Sequence, residues 1–262
     1  MSSSAIDLSA SAARRSPAIG PGLPSPFGRN QRLRAVLFDL DGTLYSQRLL
    51  RALMLIELLA LPLRRPFTWW RTWRTISAYR SAQESLRTSD GTAMDAEAQV
   101  NAAAIRAAVP AADVRAIVQE WMLERPLKYL RWCRAVGIVN LLEFLARHRV
   151  AIGLLSDYPA NGKLRALGLS DHFFPVLCSS DPEIGALKPH PRGFLRASDV
   201  WGVSPSEVLV VGDRPDVDAA GAAAAGMPCV IIGRSSASAA VKANVLAVSS
   251  FERLHRVLDD CR

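Results

Sequence analysis

The C-terminal half of the chain alternates short apolar segments with helical segments, and this alternation limits the fold more than any other feature. The apolar segments, each bounded by turn residues, lie at 150–155, 174–178, 208–211 and 229–232. Helical periodicity lies between and after them, at 141–148, 163–167, 192–201, 219–225 and 251–258. Strands that alternate with helices form βαβ units around a parallel sheet. Because these strands are apolar throughout, we expect helices on both faces of the sheet.

One further apolar strand is predicted at 35–38, and a long helical block separates it from the other strands. Within the block, helices are predicted at 46–63, 67–88, 95–109 and 111–134, separated by prolines or by a Ser-Asp-Gly turn. A purely helical block between two α/β pieces indicates an inserted domain.

The predicted domain organisation follows from these patterns. The α/β core consists of residues 34–45 and 138–262, and residues 46–137 form an all-α insert. Residues 1–33 are rich in Ser, Ala, Pro, Gly and Arg and show no periodicity, so we predict a disordered tail there.

The net charge of +8 is unevenly distributed and does not indicate nucleic-acid binding. Residues 151–262 hold eleven basic and twelve acidic side chains, whereas residues 45–150 hold sixteen basic and nine acidic ones. A nucleic-acid-binding protein concentrates its basic residues on a recognisable binding fold. Here the excess lies in the tail and the helical insert, so we expect no nucleic-acid partner.

The cysteines and the apolar segments bear on location. The four cysteines, at positions 133, 178, 229 and 261, form no C-x-x-C pair, which argues against a zinc site and a dense disulfide framework. Free thiols are typical of a reducing compartment, so we expect a cytoplasmic protein. No apolar stretch reaches the roughly 18 uncharged residues that a membrane-spanning helix needs.

Polar residues follow the predicted strands at the sheet edge where ligands bind in parallel α/β folds. They are Asp39, Asp41, Thr43, Ser156, Lys188, Asp213 and Asp218. Since the carboxyl ends of parallel strands share one edge, several carboxylates should meet a hydroxyl and an ammonium group there.

This set of groups has a defined chemistry. Neighbouring carboxylates repel one another and need a cation, and oxygen ligands without His or Cys favour Mg²⁺. Lys188 and Ser156 can hold phosphate oxygens. A carboxylate beside Mg²⁺ can attack phosphorus and form an aspartyl phosphate, and a second carboxylate two residues on can act as general acid and base. We therefore predict Mg²⁺-dependent phosphoryl transfer from a small phosphorylated molecule.

Four short segments at the strand ends form a recognisable set. They are Phe38-Asp39-Leu40-Asp41-Gly42-Thr43-Leu44-Tyr45, Leu154-Leu155-Ser156, Gly185-Ala186-Leu187-Lys188-Pro189, and Val211-Gly212-Asp213 through Asp218. In this order they resemble the four motifs of the haloacid dehalogenase-like superfamily. The helical insert resembles the cap of the subfamily that includes phosphoglycolate phosphatase and β-phosphoglucomutase. The resemblance implies a Rossmann-like parallel sheet core with an inserted all-α cap that closes over the site.

The resemblance also implies a role for each residue. Asp39 is the nucleophile and a Mg²⁺ ligand, and Asp41 is the general acid and base and gives its backbone carbonyl to the metal. Ser156 and Lys188 bind the phosphoryl group, and Asp213 is a direct metal ligand.

Two positions need more comment. Thr43 belongs with the phosphate-binding residues and should shape the loop and help position Asp41. The fourth motif offers both Asp216 and Asp218 as its last acid, and the start of the following helix favours Asp218 as a supporting residue. Dehalogenases lack the acid two residues after the nucleophile, so Asp41 favours phosphoryl transfer over cleavage of a carbon–halogen bond.

Three functions remain open from the sequence. The main one is a phosphatase acting on a small phosphomonoester, and a phosphomutase is the nearest alternative. A membrane-peripheral phosphatase acting on a lipid-linked phosphate is the third, because Trp69, Trp70 and Trp73 lie among Arg71 and Arg74, a composition found at membrane interfaces. Ordinary packing within the cap explains the same composition. The sequence contains no signal for the oligomeric state.

Overall fold

The computed structural model describes residues 19–60, 69–88, 96–233 and 244–261. Its strands are β1 (Leu23–Ser25), β2 (Gly28–Leu33), β3 (Ala35–Phe38), β4 (Ala151–Ser156), β5 (Val176–Cys178), β6 (Val208–Gly212), β7 (Cys229–Ile232) and β8 (Val245–Val248). The last six form one parallel sheet in the order β5-β4-β3-β6-β7-β8. The predicted α/β fold with a parallel sheet is therefore confirmed.

Helices cover both faces of this sheet because its strands present apolar side chains in both directions. The core helices are α6 (Ile138–Arg147), α7 (Asn161–Leu167), α8 (Arg192–Trp201), α9 (Ala220–Ala224) and α10 (Phe251–Asp260). On one face Val36 and Phe38 pack in a cluster with α6, α7 and α10. On the other face Ala35 and Leu37 pack in a second cluster with α8 and α9. Alternate residues of the central strand thus enter two separate cores, as the period of a strand requires.

Between β3 and α6 the chain is helical, and we call this region the cap. Its elements are α1 (Gln47–Ala60), α2 (Trp69–Thr88), α3 (Ala96–Ala107), α4 (Ala111–Val118), a π-helical segment (Gln119–Glu124) and α5 (Leu127–Cys133). Helices α2, α3 and α4 share a small apolar cluster of their own, which includes Tyr79, Val100 and Val114. Helix α5 packs against α7 of the core. The predicted insertion of an all-α cap is confirmed.

The structure differs from the sequence-based prediction at the N-terminus. Residues 23–33 form an antiparallel hairpin, β1–β2, where a disordered tail is predicted. Leu23 and Leu33 are buried in the main apolar cluster, and β1 packs against α10. Two leucines suffice to anchor this hairpin, and so short an apolar signal shows no periodicity in the sequence. Residues 1–18 of the predicted tail, and the helix ends predicted at 61–63 and 67–68, lie outside the described residues.

Two other features complete the fold. Strand β8 adds a sixth strand at the sheet edge beside β7, which the sequence pattern did not predict. All four cysteines are free thiols. In the part of the chain that the structure describes, no helix has both the length and the apolar character needed to cross a bilayer.

Candidate active site

The site lies at the carboxyl ends of β4, β3 and β6, which are adjacent in the sheet. Phe38, the last residue of β3, is level with Leu154 of β4 and Val211 of β6. The Asp39 amide continues the ladder by donating to the Val211 carbonyl at 2.8 Å. The loops that follow the three strands therefore start at almost the same height, which brings their polar residues together.

Asp39 is held by two side chains on opposite oxygens. Lys188 Nζ donates to Asp39 Oδ1 at 2.5 Å, and Thr43 Oγ1 donates to Asp39 Oδ2 at 2.8 Å. Lys188 Nζ also donates to Asp218 Oδ1 at 2.8 Å. Thr43 therefore contacts Asp39, whereas the sequence-based expectation was that it helps to position Asp41.

Three carboxylates form an acidic cluster. One oxygen from each of Asp39, Asp213 and Asp218 lies within 4.8 Å of the other two. Asp218 Oδ2 accepts backbone N–H groups of Asp213 and Arg214 at 3.2 and 3.1 Å, so the helix start holds the loop that carries Asp213. The other candidate, Asp216, is exposed and paired with Arg214, outside the cluster. The donor set consists only of carboxylate oxygens, as a hard divalent cation prefers.

Burial and mutual repulsion act on the ionisation of this cluster. Burial, reinforced by Asp218 and Asp213, raises the pKa of Asp39 to about 8 despite the nearby Lys188. Burial and the charge of Asp218 likewise raise the pKa of Asp213 to about 6. Burial alone would lower the pKa of Lys188, but the carboxylates of Asp218 and Asp39 hold it above its usual range. One ammonium group therefore does not balance three carboxylates, which leaves electrostatic room for a cation.

The Asp41 side chain lies apart from the acidic cluster. Lys163 Nζ, from α7, donates to both carboxylate oxygens of Asp41 at 2.6 and 2.8 Å. The Tyr45 hydroxyl donates to Oδ1 of the same carboxylate. Burial would raise the pKa of Asp41, but Lys163 and Tyr45 outweigh it and hold this pKa below its usual value.

Glycine at position 42 allows the first loop to approach the fourth. Its φ is +106°, a left-handed value that favours glycine. A Cβ atom built there would lie 2.2 Å from Asp213 Oδ2. The D-x-D-G sequence therefore has a steric reason here, because a side chain at position 42 would displace the Asp213 carboxylate.

Ser156 and Asp157 follow β4 and have different surroundings. Ser156 is buried, and its Oγ accepts the Tyr158 amide at 3.2 Å. Asp157 Oδ1 accepts the Ser179 hydroxyl at 2.6 Å and the Lys188 amide at 3.2 Å. Asp157 therefore braces the loop that carries Lys188, where the sequence suggested a simple turn cap.

The cap completes the site through α2. Arg87 Nη2 donates to Asp157 Oδ2 at 2.9 Å, and Arg87 Nη1 donates to the Lys188 carbonyl at 2.6 Å. Arg214 of the core reaches Glu84 of α2 at 3.0 Å, and Tyr158 donates to the Gln83 side chain. These contacts fix the cap against the loops that carry the acidic cluster.

A cavity of about 490 Å³ lies between cap and core. Its lining includes six acidic and six basic side chains from the two regions. They are Asp39, Asp41, Glu84, Asp157, Asp213, Asp218, Arg51, Arg80, Arg87, Lys163, Lys188 and Arg214. A divalent cation would leave this lining with two net positive charges, which complement a phosphate monoester dianion.

The structure thus brings six of the seven predicted residues to this cavity or into direct contact with its lining, and Ser156 lies buried beside Asp157. Sequence reasoning missed Lys163, Tyr45 and Arg87. Lys163 lies in a predicted helix, Tyr45 belongs to the first motif, and Arg87 is one of many cap arginines. Local sequence gives no signal that these side chains face the site.

Comparison with known proteins places the chain among relatives of one kind. A family model described as haloacid dehalogenase-like hydrolase matches residues 33–226. The chain is 44% identical over 72 residues to the phosphoserine phosphatase of Thermus thermophilus, a match that covers 28% of either protein. It is 35% identical over 95 residues to the phosphoglycolate phosphatase of Photorhabdus laumondii, covering 35% of this chain and 39% of that protein. The chain thus spans well under half the length of these curated relatives.

Solved structures agree on the fold. The magnesium-bound HAD-hydrolase YfnB from Bacillus subtilis superposes with a TM-score of 0.63 at 19% sequence identity. The superposition covers 87% of this chain and 100% of that one. At this level of identity the likeness concerns the fold alone, and it extends over both core and cap.

Proposed function

The chain belongs to the haloacid dehalogenase-like hydrolases, and from that premise we propose that it is a Mg²⁺-dependent phosphatase acting on a phosphomonoester through an aspartyl phosphate on Asp39. One observation carries the proposal. Asp39 follows a central strand, is fixed by Lys188 and Thr43, belongs to an all-oxygen acidic cluster and borders a cavity. The curated relatives named as phosphatases support the same reaction class.

Asp39 and Asp213, supported by Asp218, would hold the metal ion together with the backbone carbonyl of Asp41. Their carboxylate oxygens match the preference of Mg²⁺. When bound, the ion lowers the pKa of Asp39 and offsets the repulsion between this nucleophile and the phosphate. Asp218 keeps the loop of Asp213 in position through the two backbone N–H groups that it accepts.

The first chemical step breaks the bond between phosphorus and the leaving oxygen. A carboxylate oxygen of Asp39 forms a new bond to phosphorus as the leaving oxygen departs with the bonding electrons. Lys188 stabilises the charge on the phosphoryl oxygens, and the Ser156 hydroxyl and the loop amides bind the same oxygens. Thr43 holds the second oxygen of Asp39, so the attacking oxygen has a fixed direction.

Asp41 carries the proton in both steps. As general acid it protonates the leaving oxygen, and as general base it then takes a proton from the water that attacks the phosphoaspartate. That attack releases inorganic phosphate and restores the Asp39 carboxylate. Because Lys163 favours the ionised form of Asp41, protonation of the leaving group requires Asp41 to separate from Lys163 first.

Replacement of Asp39 by Asn tests the mechanism. We expect phosphate release to fall by at least about a thousandfold, because an amide cannot form the acyl phosphate. The assay measures inorganic phosphate from a panel of phosphomonoesters with and without Mg²⁺, and circular dichroism checks that the variant is folded. Asp216→Asn, an exposed acid on the same side of the sheet, is the matched control. A near-normal rate in Asp39→Asn would disprove the mechanism, and an isomerised sugar phosphate in place of free phosphate would indicate a mutase.

The remaining features concern where the protein acts. Four free thiols support a cytoplasmic location. The balance of charges around the cavity supports a small phosphorylated molecule as the partner.

A further inference from the structure

The cavity extends well beyond the room that a phosphoryl group needs, and its far part is apolar. A volume of about 490 Å³ lies within the range of sites that enclose a whole small-molecule ligand. The cap supplies an apolar side to this cavity. We call six of its side chains the apolar wall: Met54, Leu55, Leu58, Trp73, Trp121 and Met122.

Helix α1 presents one continuous stripe to the cavity. Its lining residues, at positions 47, 50, 51, 54, 55 and 58, recur with the spacing of a single helix face. The stripe is polar at Gln47, which follows the loop of Asp41 and Tyr45, and becomes apolar toward Leu58. The rise of a helix places Leu58 about 16 Å along the axis from Gln47.

Helix α2 shows the same gradient in the opposite chain direction. Its cavity-lining residues begin with Trp73 and Ile76 and end with Glu84 and Arg87. Arg87 contacts the Lys188 loop, so the polar end of α2 lies at the acidic cluster. Trp73 is about 20 Å further along the helix axis. Both helices therefore change from polar to apolar with distance from Asp39.

The apolar wall is not fully covered by protein. Leu55 is 51% exposed and Trp73 is 46% exposed, although both line the cavity. Trp73 stacks on Trp70 with ring centroids 5.1 Å apart. Apolar surface of this size in a cavity favours an apolar ligand, whereas a polar leaving group would lose hydrogen bonds to water without replacing them.

We infer that the substrate is a phosphomonoester whose leaving group is apolar, an alkyl or aryl chain that lies along the apolar wall with the phosphoryl group at Asp39. The inference rests on the proposed phosphatase function and adds the class of leaving group. It separates this chain from an enzyme built for a short polar leaving group, which has no use for an apolar wall that extends so far from the site.

A series of alkyl phosphates from ethyl to octyl tests the leaving group. We expect kcat/KM to rise with chain length by up to about fourfold per added methylene, the gain from burying one methylene group, until the wall is covered. A flat series in which hydrolysis still requires Asp39 would overturn the apolar leaving group and leave the phosphatase proposal standing.

Two matched pairs of variants locate the effect. Leu55→Gln and Trp73→Gln change the wall, whereas Leu59→Gln and Trp70→Gln change neighbouring residues that are 59% and 54% exposed and do not line the cavity. We expect the octyl-to-ethyl ratio of kcat/KM to fall about tenfold in the first pair and to stay unchanged in the second. An equal fall in both pairs would overturn the assignment of the wall.

Binding of alkylphosphonates, measured by calorimetry, separates failure of this inference from failure of the proposed function. Affinity that rises with chain length without any turnover of the phosphates would overturn the phosphatase and keep the ligand class. Affinity that is independent of chain length would overturn the ligand class. Octyl phosphate in solution and hexadecyl phosphate in phosphatidylcholine vesicles then distinguish a soluble source from a membrane-borne one, and dependence on Leu55 in either supports the inference.

Discussion

The cavity has two sides that differ in how firmly their side chains are held. On the core side, Asp39, Lys188 and Asp218 are buried and joined by hydrogen bonds of 2.5 and 2.8 Å. On the cap side, Leu55 and Trp73 of the apolar wall are about half exposed. Bond-making chemistry depends on fixed positions, whereas an apolar surface needs only the right extent. The core side should therefore control the rate for every substrate, and the cap side should control which leaving group is accepted.

The largest expected effect is on the core side. Lys188→Met removes the ammonium group between Asp39 and Asp218 and with it the stabilisation of the phosphoryl oxygens. We expect kcat to fall by about 10²–10³-fold, and by the same factor for ethyl and octyl phosphate. Two carboxylates lose their buried partner, so the variant should also unfold at lower temperature. Arg196→Met, which breaks a surface pair with Glu183, is the control. A loss that depends on the leaving group would contradict the division between the two sides.

A thermal shift with Mg²⁺ sharpens the comparison without measuring activity. At a concentration about 100 times its dissociation constant, the ion should raise the melting temperature by roughly 5–10 °C. Asp213→Asn should lose this rise, whereas Asp216→Asn on the same loop should keep it. An equal rise in both variants would exclude Asp213 as a ligand.

The same variant should differ from wild type without metal. The pKa of Asp213 is raised to about 6 in the folded protein, above the usual value for an aspartate. Its ionisation therefore costs stability as pH rises from the unfolded pKa to the folded one, and the full cost applies at pH 7. Metal-free Asp213→Asn should thus melt at a higher temperature than wild type at pH 7, and the difference should shrink toward pH 4.

These experiments bear on what the sequence could predict. Position relative to a strand fixes where a residue lies, so the acids after β3 and β6 and the family motifs identified the core side in advance. Lys163 could not be assigned to Asp41, because the two are 122 positions apart and only the packing of α7 brings them together. The apolar wall depends on how three cap segments meet, which no local pattern encodes. The hairpin of Leu23 and Leu33 was missed because two buried residues make no periodic signal.

The contact between the two sides should give an intermediate effect. Arg87→Gln removes the link from α2 to Asp157 and to the Lys188 carbonyl. We expect kcat/KM to fall about tenfold for all alkyl phosphates, because the cap no longer holds the Lys188 loop and the cavity closes less well. Arg106→Gln, which removes bonds to Ser81 and Ser85 within the cap, should change kcat/KM less than twofold. If both variants lose activity equally, the effect comes from cap stability and not from this contact.

The smallest effect should come from Tyr158→Phe. Burial raises the pKa of Tyr158 well above its usual value, so the phenol stays neutral and donates to Gln83 across the interface between core and cap. Loss of one such neutral hydrogen bond should lower kcat/KM by about two- to fivefold. Tyr129→Phe removes a phenol that donates to Glu57 at 3.2 Å away from the cavity and should leave kcat/KM unchanged.

The substrate dependence of the Tyr158 variant decides how sharply the two sides are divided. Tyr158 belongs to the core loop after β4 and lines the cavity, while its partner Gln83 belongs to the stripe of α2 that leads to Trp73. If the loss is equal for ethyl and octyl phosphate, Tyr158 acts through closure of the cap, as Arg87 does. If the loss grows with chain length, the phenol orients α2 and with it the apolar wall, and control of the leaving group begins on the core side of the cavity.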